Sequence, residues 1–337
     1  MNWSFWMGGR LATGLERISH NLDDLREPGF WAVIGTFESE WTLAKFSNVV
    51  ESDLPLSAEA WQGVASHEWK SSHDRDLYHK YVNQIREKIA DGDVYQVNAC
   101  RILNVDNSKN PSLAQLARGI VESNPAPFAS YIHLPDLEIA SASPERFISL
   151  RDGVITSSPI KGTSATSDFQ EKDHSENLMI VDLIRNDVGM IAETGSVTTP
   201  RLLATEEHPG LFHLVSDIQA RVAPGKDVVE VLRSMMPPGS VSGAPKHSAL
   251  KIIQEWEGKR GPYCGALGWV ENGNADLAVG IRTFWQGSDR ILHFGTGAGI
   301  TWGSDPELEW EETELKARRL IGIASKDSPS ISAKMAQ

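Results

Sequence analysis

The chain has little cysteine: Cys100 and Cys264 are the only two in 337 residues. Two thiols make no disulfide framework, and neither stands at a metal-ligand spacing, so a reducing, cytoplasmic setting is the expectation. Long apolar runs are missing too, and nothing approaches the roughly 20 residues needed to cross a bilayer. The start, M-N-W-S-F-W-M-G-G-R, lacks the basic head and apolar stretch of a secretion signal. Positive charge is short: 32 Lys and Arg stand against 45 Asp and Glu, a net charge of −13. A chain of that sign repels nucleic acid and acidic membranes, and no basic cluster interrupts it. An anionic substrate would need cations gathered locally.

What is present suits a globular chain, 40% hydrophobic and 23% charged. The expected organisation is one domain: a short, tryptophan-rich N-terminal part over 1–70, a core over 71–324, and a flexible polar tail over 325–337. Apolar spacing predicts helices over His73–Ala90, from Pro111 to Val121, and over Gln170–Met190, Asp227–Met235, Lys246–Trp256 and Pro306–Ile323. Strands are predicted at Val94–Leu103, Ala129–Leu134, Leu137–Ser141, Phe147–Leu150 and Val154–Ser157. Further strands are predicted at Phe212–Val222, Tyr263–Glu271, Asp276–Gln286 and Ile291–Gly295. Phe212–Val222 alternates, with Leu214, Ile218 and Ala220 on one face and His213, Asp217 and Gln219 on the other. Long helices mixed with sequential antiparallel-type strands predict an α+β fold.

Two predicted helices carry acids at one offset. Asp173 and Glu176 share a face, as do Glu309 and Glu312, with Lys316 one turn further on. Facing oxygen ligands suit a hard cation such as Mg²⁺; a pair of solvated acidic faces is the plain alternative. F-G-T-G-A-G-I, Phe294–Ile300, and P-P-G-S-V-S-G-A-P-K, Pro237–Lys246, are glycine-bearing turns whose N–H groups could meet an anion. Arg282 shares a strand face with Asp276, Ala278 and Gly280, where it could grip a carboxylate or form a structural salt bridge. In S-P-I-K-G-T, a flexible cation, Lys161, sits between a rigid proline and a permissive glycine.

S-P-E-R-F, P-I-K-G-T, E-N-L-M-I-V-D-L-I-R-N-D, H-L-V-S, S-G-A-P-K, G-A-G-I and the closing E-x-x-E-T-x-x-K-A occur in this order. Together, over roughly Asp74 to Ile323, they resemble the chorismate-utilising enzymes. The resemblance implies an α+β domain of two large, mainly antiparallel sheets packed together with helices outside, and a Mg²⁺-dependent chorismate site. It implies that Glu176 and Glu312 hold the metal, with Asp173 and Glu309 behind them. Arg282, Lys316, Tyr263 and the backbone of Gly297, Ala298 and Gly299 would take the enolpyruvyl carboxylate. Ser240, Gly162 and Thr163 would line the ring pocket, and His213 would stand near the leaving hydroxyl.

Members divide by nucleophile. The relatives that add water carry a lysine where this chain has Gln96, and an amide cannot deprotonate water near neutral pH. Where anthranilate synthases read P-I-A-G-T, Lys161 replaces the alanine, as in aminodeoxychorismate synthase component I. That likeness implies a Lys161 amine attacking C2 of the ring, with its pKa lowered, while Glu145 protonates the departing 4-hydroxyl. Ammonia from a separate glutamine amidotransferase would then add at C4, on the way to 4-aminobenzoate and folate. An anthranilate or aminodeoxyisochorismate synthase is the alternative within the family, and a non-catalytic partner-binding subunit the alternative outside it.

Overall fold

The computed structural model describes residues 3–55, 60–164, 168–208 and 211–326. The predicted tail therefore lies outside the described residues beyond Lys326. The N-terminal part forms β1 (Ser4–Met7), β2 (Arg10–Ser19), β3 (Phe30–Gly35), β4 (Trp41–Glu51) and the short β5 (Lys70–Ser71). Then come α1 (Arg75–Ala90), β6 (Gln96–Asp106), α2 (Ala114–Ser123), β7 (Phe128–Leu134) and β8 (Leu137–Ser143). Next are β9 (Arg146–Arg151), β10 (Val154–Ser158), β11 (Ile160–Ser164), α3 (Glu171–Gly189), β12 (Thr198–His208) and β13 (Leu211–Arg221). The last part holds α4 (Val228–Met235), β14 (Gly243–Ala244), α5 (Lys246–Trp256), β15 (Ala266–Glu271), β16 (Asn274–Val279), β17 (Thr283–Gln286), β18 (Ile291–Ile300) and α6 (Pro306–Ser325).

The α+β expectation holds. Antiparallel ladders run on from one to the next, so the eighteen strands make one continuous hydrogen-bonded network. Its longest regular ladder joins β6 to β18, from Val97 opposite Ile300 to Asp106 opposite Ile291. The largest core packs Tyr78, Tyr81, Val82 and Ile85 of α1, and Ile180, Ile184 and Val188 of α3, onto the strands. Each such buried side chain contributes roughly 1.5–3 kcal/mol relative to exposure. A second core sets α2 and α6 against β6, β8 and β18, and a third lies between β1–β4 and β15–β16.

Helix ends follow local chemistry. Asp74 caps α1 by accepting from Leu77 N at 2.8 Å, and Asp227 and Glu230 form a reciprocal capping box on α4. Asp305 caps α6, with Pro306 in the first turn. Glu309, Thr313, Ala317, Leu320 and Ala324 make the buried face of α6, which leaves Glu312, Lys316 and Arg319 along its flank.

Three sequence readings need correction. The strand predicted over Asp276–Gln286 breaks at Gly280–Arg282, where Arg282 takes φ 52°. The break is a change of partners: β16 pairs with β15 and β9, whereas β17 pairs with β8 and β18. Arg282 thus does not continue the face of Asp276 and Ala278; it projects from the crossing point. The glycines of G-T-G-A-G-I are strand, not turn, because β18 continues through them to Ile300. Finally, the first half of β13 is buried on both faces, His213 and Ser216 included, because α3 covers one of them. Asn177 of that helix donates to Leu214 O at 3.0 Å and accepts from Ser216 Oγ at 2.7 Å.

Candidate active site

Lys161 lies in β11, between Ile160 opposite Val215 and Thr163 opposite His213, and the register shifts between those pairs. Such an irregularity bends a strand and re-aims a side chain. Gly162 takes φ +87°, and a Cβ there would stand 3.1 Å from Asp173 Cβ and 3.3 Å from the Phe169 ring. The proline–lysine–glycine order is thereby explained: the glycine lets the strand bulge against α3 while Lys161 turns inward. Lys161 Nζ lies 3.3 Å from Glu176 Oε1, both side chains largely buried. Glu145 and Glu312 also lie close enough to act on the ammonium.

The expectation of a lowered lysine pKa does not hold for this arrangement. Burial works against the ammonium, but the carboxylates of Glu176, Glu145 and Glu312 outweigh it and raise its pKa above the ordinary value. Glu145 shows the opposite balance. It is 4% exposed, and desolvation pushes its carboxyl up to about 7 against the pull of Ser240, Lys161, Arg282 and the Ile160 N–H. A carboxyl half-protonated near neutral pH can deliver a proton to a leaving group. Ser240, on the short helical turn at Gly239–Val241, and Arg282, at the strand crossing, both act on Glu145 in favour of its carboxylate. Burial and the nearby Arg319 lower the Arg282 pKa. Arg319 was missed by sequence reasoning; its spacing from Glu312 and Lys316, at i+7 and i+3, was the available signal.

Glu176 has a second partner, Gln96, whose Nε2 donates to the same Oε1 at 2.8 Å. Read from sequence only as a residue unable to act as a base, Gln96 holds a carboxylate in place. A Cβ at Gly299 would stand 2.5 Å from Gln96 Nε2 and 3.0 Å from Glu176 Oε1, so glycine is what lets β18 lie beside this pair. Gly297 is equally confined, against Ala99 O and Cys100 Sγ. Ala298 turns its methyl into the main core, leaving only its backbone to meet a ligand. On α6, Glu312 pairs with Lys316 at 2.6 Å, and Lys316 also donates to Gly297 O at 3.0 Å.

The remaining candidates have partners of their own. Asp173 accepts from Gln170 N at 3.0 Å, completing the capping box of α3 one turn from Glu176. Glu309 is buried and accepts from Ser304 Oγ at 2.6 Å. Tyr263 packs its ring where a Gly295 Cβ would be, and its buried hydroxyl accepts from Cys100 Sγ at 3.9 Å. His213 is buried on β13 with Thr163 opposite it; the Thr163 side chain lies outside what is described. Lys246, at the end of the second glycine-bearing segment, is not offered to an anion. It is committed to Asp187, at 2.6 Å.

Among the described residues, no three His, Cys, Asp or Glu side chains converge as a ready chelate. The donors present are of the open kind: Glu176 and Glu312 approach Lys161 from two helices, and an amide orients one of them. A cation that keeps its waters and takes one or two carboxylates plus substrate oxygens fits such a set.

A sequence profile of the chorismate binding enzymes matches residues 37–322. Anthranilate synthase component 1 of Aquifex aeolicus is 36% identical over 291 residues, covering 82% of this chain and 56% of that protein. Aminodeoxychorismate synthase component 1 of Klebsiella aerogenes is 38% identical over 270 residues, covering 75% of this chain and 59% of that protein. The chain thus spans a little over half the length of these relatives. The fold is similar to that of anthranilate synthase component I from Streptococcus pneumoniae, with TM-score 0.81 at 22% identity over 95% of this chain and 93% of that one.

Proposed function

The chain belongs to the chorismate binding enzyme family, and from that premise we propose that it is the ammonia-using component I of an aminodeoxychorismate synthase. It would convert chorismate and ammonia to 4-amino-4-deoxychorismate, a precursor of 4-aminobenzoate and folate. The observation that carries this reading is the buried pairing of an amine with an acid. Lys161 and Glu145 act on each other inside the site, and the Glu145 carboxyl is poised at about 7.

The Lys161 amine, once neutral, attacks C2 of the ring; the 4-hydroxyl departs as water with the proton of Glu145. Ammonia adds at C4, the C2–nitrogen bond breaks to release the neutral Lys161 amine, and the new C4 ammonium returns a proton to the Glu145 carboxylate. Arg282 and Lys316 are the cations for the enolpyruvyl carboxylate, and buried His213 is the remaining group for the hydroxyl side. Glu176 and Glu312 would hold Mg²⁺, backed by Asp173 and Glu309; the ion supplies charge balance for the ring carboxylate. Engaged in that way, the two carboxylates would hold the Lys161 proton less, and burial would favour the neutral amine. Gln96 orients Glu176 and cannot activate water, which separates the reading from water addition. Ammonia would come from a separate glutamine amidotransferase.

The second reading, anthranilate synthase component I, is supported by relatives of that name at similar identity. The two separate by product. The chain incubated with chorismate, Mg²⁺ and an ammonium salt should yield a product that an added lyase converts to 4-aminobenzoate. Anthranilate as the main product would overturn the assignment.

A further inference from the structure

Lys246 and Asp187 belong to two of the sequence motifs, yet neither touches the groups that do the chemistry. Met235 ends α4 and Lys246 begins α5. The Lys246 ammonium donates to Met235 O at 3.2 Å and to Asp187 Oδ2 at 2.6 Å, so one side chain closes residues 236–245 into a loop and ties its base to α3. Inside that loop Gly239 lies flat on the same helix. A Cβ there would stand 2.9 Å from Asp187 Oδ2 and 3.1 Å from Ile184 Cδ1. The next residue is Ser240, whose hydroxyl lies near enough to Glu145 to favour its carboxylate. The stretch after Ser240 has other anchors: Val241 O accepts from Asn98 Nδ2 at 3.1 Å and from Arg260 Nη1 at 3.0 Å. At the loop's base and at Gly239, the anchor is the ion pair.

We infer that the Lys246–Asp187 ion pair is a positioning device for Ser240 and, through Ser240, for the Glu145 carboxyl. The inference rests on the reading of Glu145 as the acid of the reaction. A buried ion pair is a poor source of stability, since desolvation of both ions offsets most of their attraction. Asp187 shows that cost: it is 2% exposed, and burial raises its pKa even with Lys246 against it. What the pair supplies is a fixed direction for the turn. The groups facing Glu145 are Ser240, Lys161, Arg282 and the Ile160 N–H. Of these, Ser240 is the one carried by the loop.

The test compares Ser240→Ala, Asp187→Asn, Lys246→Met and Lys246→Arg in the full chain. Two readouts are needed: the alkaline limb of kcat/KM with chorismate and ammonium, and the ¹³C-NMR titration of the Glu145 carboxyl carbon, assigned against Glu145→Gln. Ser240→Ala removes a hydroxyl that favours the carboxylate, so the titration and the limb move up by about one pKa unit. Asp187→Asn and Lys246→Met should move both the same way by about half a unit or more, and Lys246→Arg should restore them. Asp187→Asn added to Ser240→Ala should give no further shift. Should Asp187→Asn fail to fold, Lys246→Met, which lets buried Asp187 take up a proton, carries the comparison. A Glu145 titration unmoved in the Asp187 and Lys246 variants, even with a lowered melting temperature, would reduce the pair to a structural brace and overturn the inference. A chain that does not turn over chorismate would defeat the functional reading instead, and the NMR titration would still decide this one.

Discussion

Replacing Glu145 by glutamine should make the folded chain more stable at alkaline pH while removing its activity. The carboxyl is pushed from an ordinary 4.5 up to about 7 by burial. Between those pH values the folded protein keeps a proton that the unfolded chain has released. Stability is therefore greatest below the unfolded pKa and declines as pH rises through about 7. The difference of about 2.5 units, at about 1.36 kcal/mol each, is roughly 3 kcal/mol lost by pH 8.5. Glutamine keeps the shape of the protonated acid and cannot ionise, so it escapes that loss. For 337 residues, an unfolding entropy of about 2.1 cal/mol/K per residue converts the difference to about 5 °C in melting temperature. Calorimetric melts of the two proteins, without chorismate or divalent cation, should coincide near pH 4.5 and separate by about 5 °C at pH 8.5. Activity at neutral pH should fall by about 10²-fold or more, the worth of a positioned acid. Melting temperatures that run parallel at every pH would mean that Glu145 carries no raised pKa, and its assignment as the proton donor would go.

Lys161→Ala should abolish any covalent adduct detected by intact mass when chorismate is supplied without ammonia, and with it the product; unchanged rate and product would exclude the amine's role. Gln96→Leu removes the amide that holds Glu176 Oε1 at 2.8 Å, so Mg²⁺ affinity in a calorimetric titration should fall about tenfold. Equal affinity would show that the carboxylate needs no such support. Gly299→Ala drives a methyl to 2.5 Å from Gln96 Nε2 and should weaken Mg²⁺ binding in the same titration. Gly303→Ala, where a Cβ meets nothing within 4 Å, is the control, and an equal effect from both would refute the steric argument.

The carboxylates and Lys161 were legible because each lies in a contiguous run whose period or turn chemistry is local. Glu312 and Lys316 follow from helical spacing, and the bulge at Lys161 follows from a glycine beside it. Arg282 was placed wrongly because D-L-A-V-G-I-R-T-F-W is strand-like throughout. Only the exchange of partners, from β15 and β9 to β8 and β18, bends it, and partners lie far away in sequence. The glycines of β18 misled for a related reason. They look like a turn, but they serve as space for Cys100, Gln96 and Glu176, side chains contributed by β6 and α3. The roles of Gln96, Asn177 and Asp187 are pairwise, and a pair is invisible until the chain has folded.

The charge pattern gives these placements a common logic. On the proposed function, a chain of net charge −13 must attract a dicarboxylate through cations gathered at the site. Those cations are held by its own acids: Lys161 by Glu176, Glu145 and Glu312, and Lys316 by Glu312. Such a site is balanced when empty, which limits the cost of burying like charges together. Its lysine is protonated in that state and is no nucleophile. On the proposed function, whatever binds first must engage the acids of α3 and α6, since their charge keeps the proton on Lys161. The acids of α3 and α6 and Lys161 act as one electrostatic unit, and the bulge at Gly162 brings them within reach of each other.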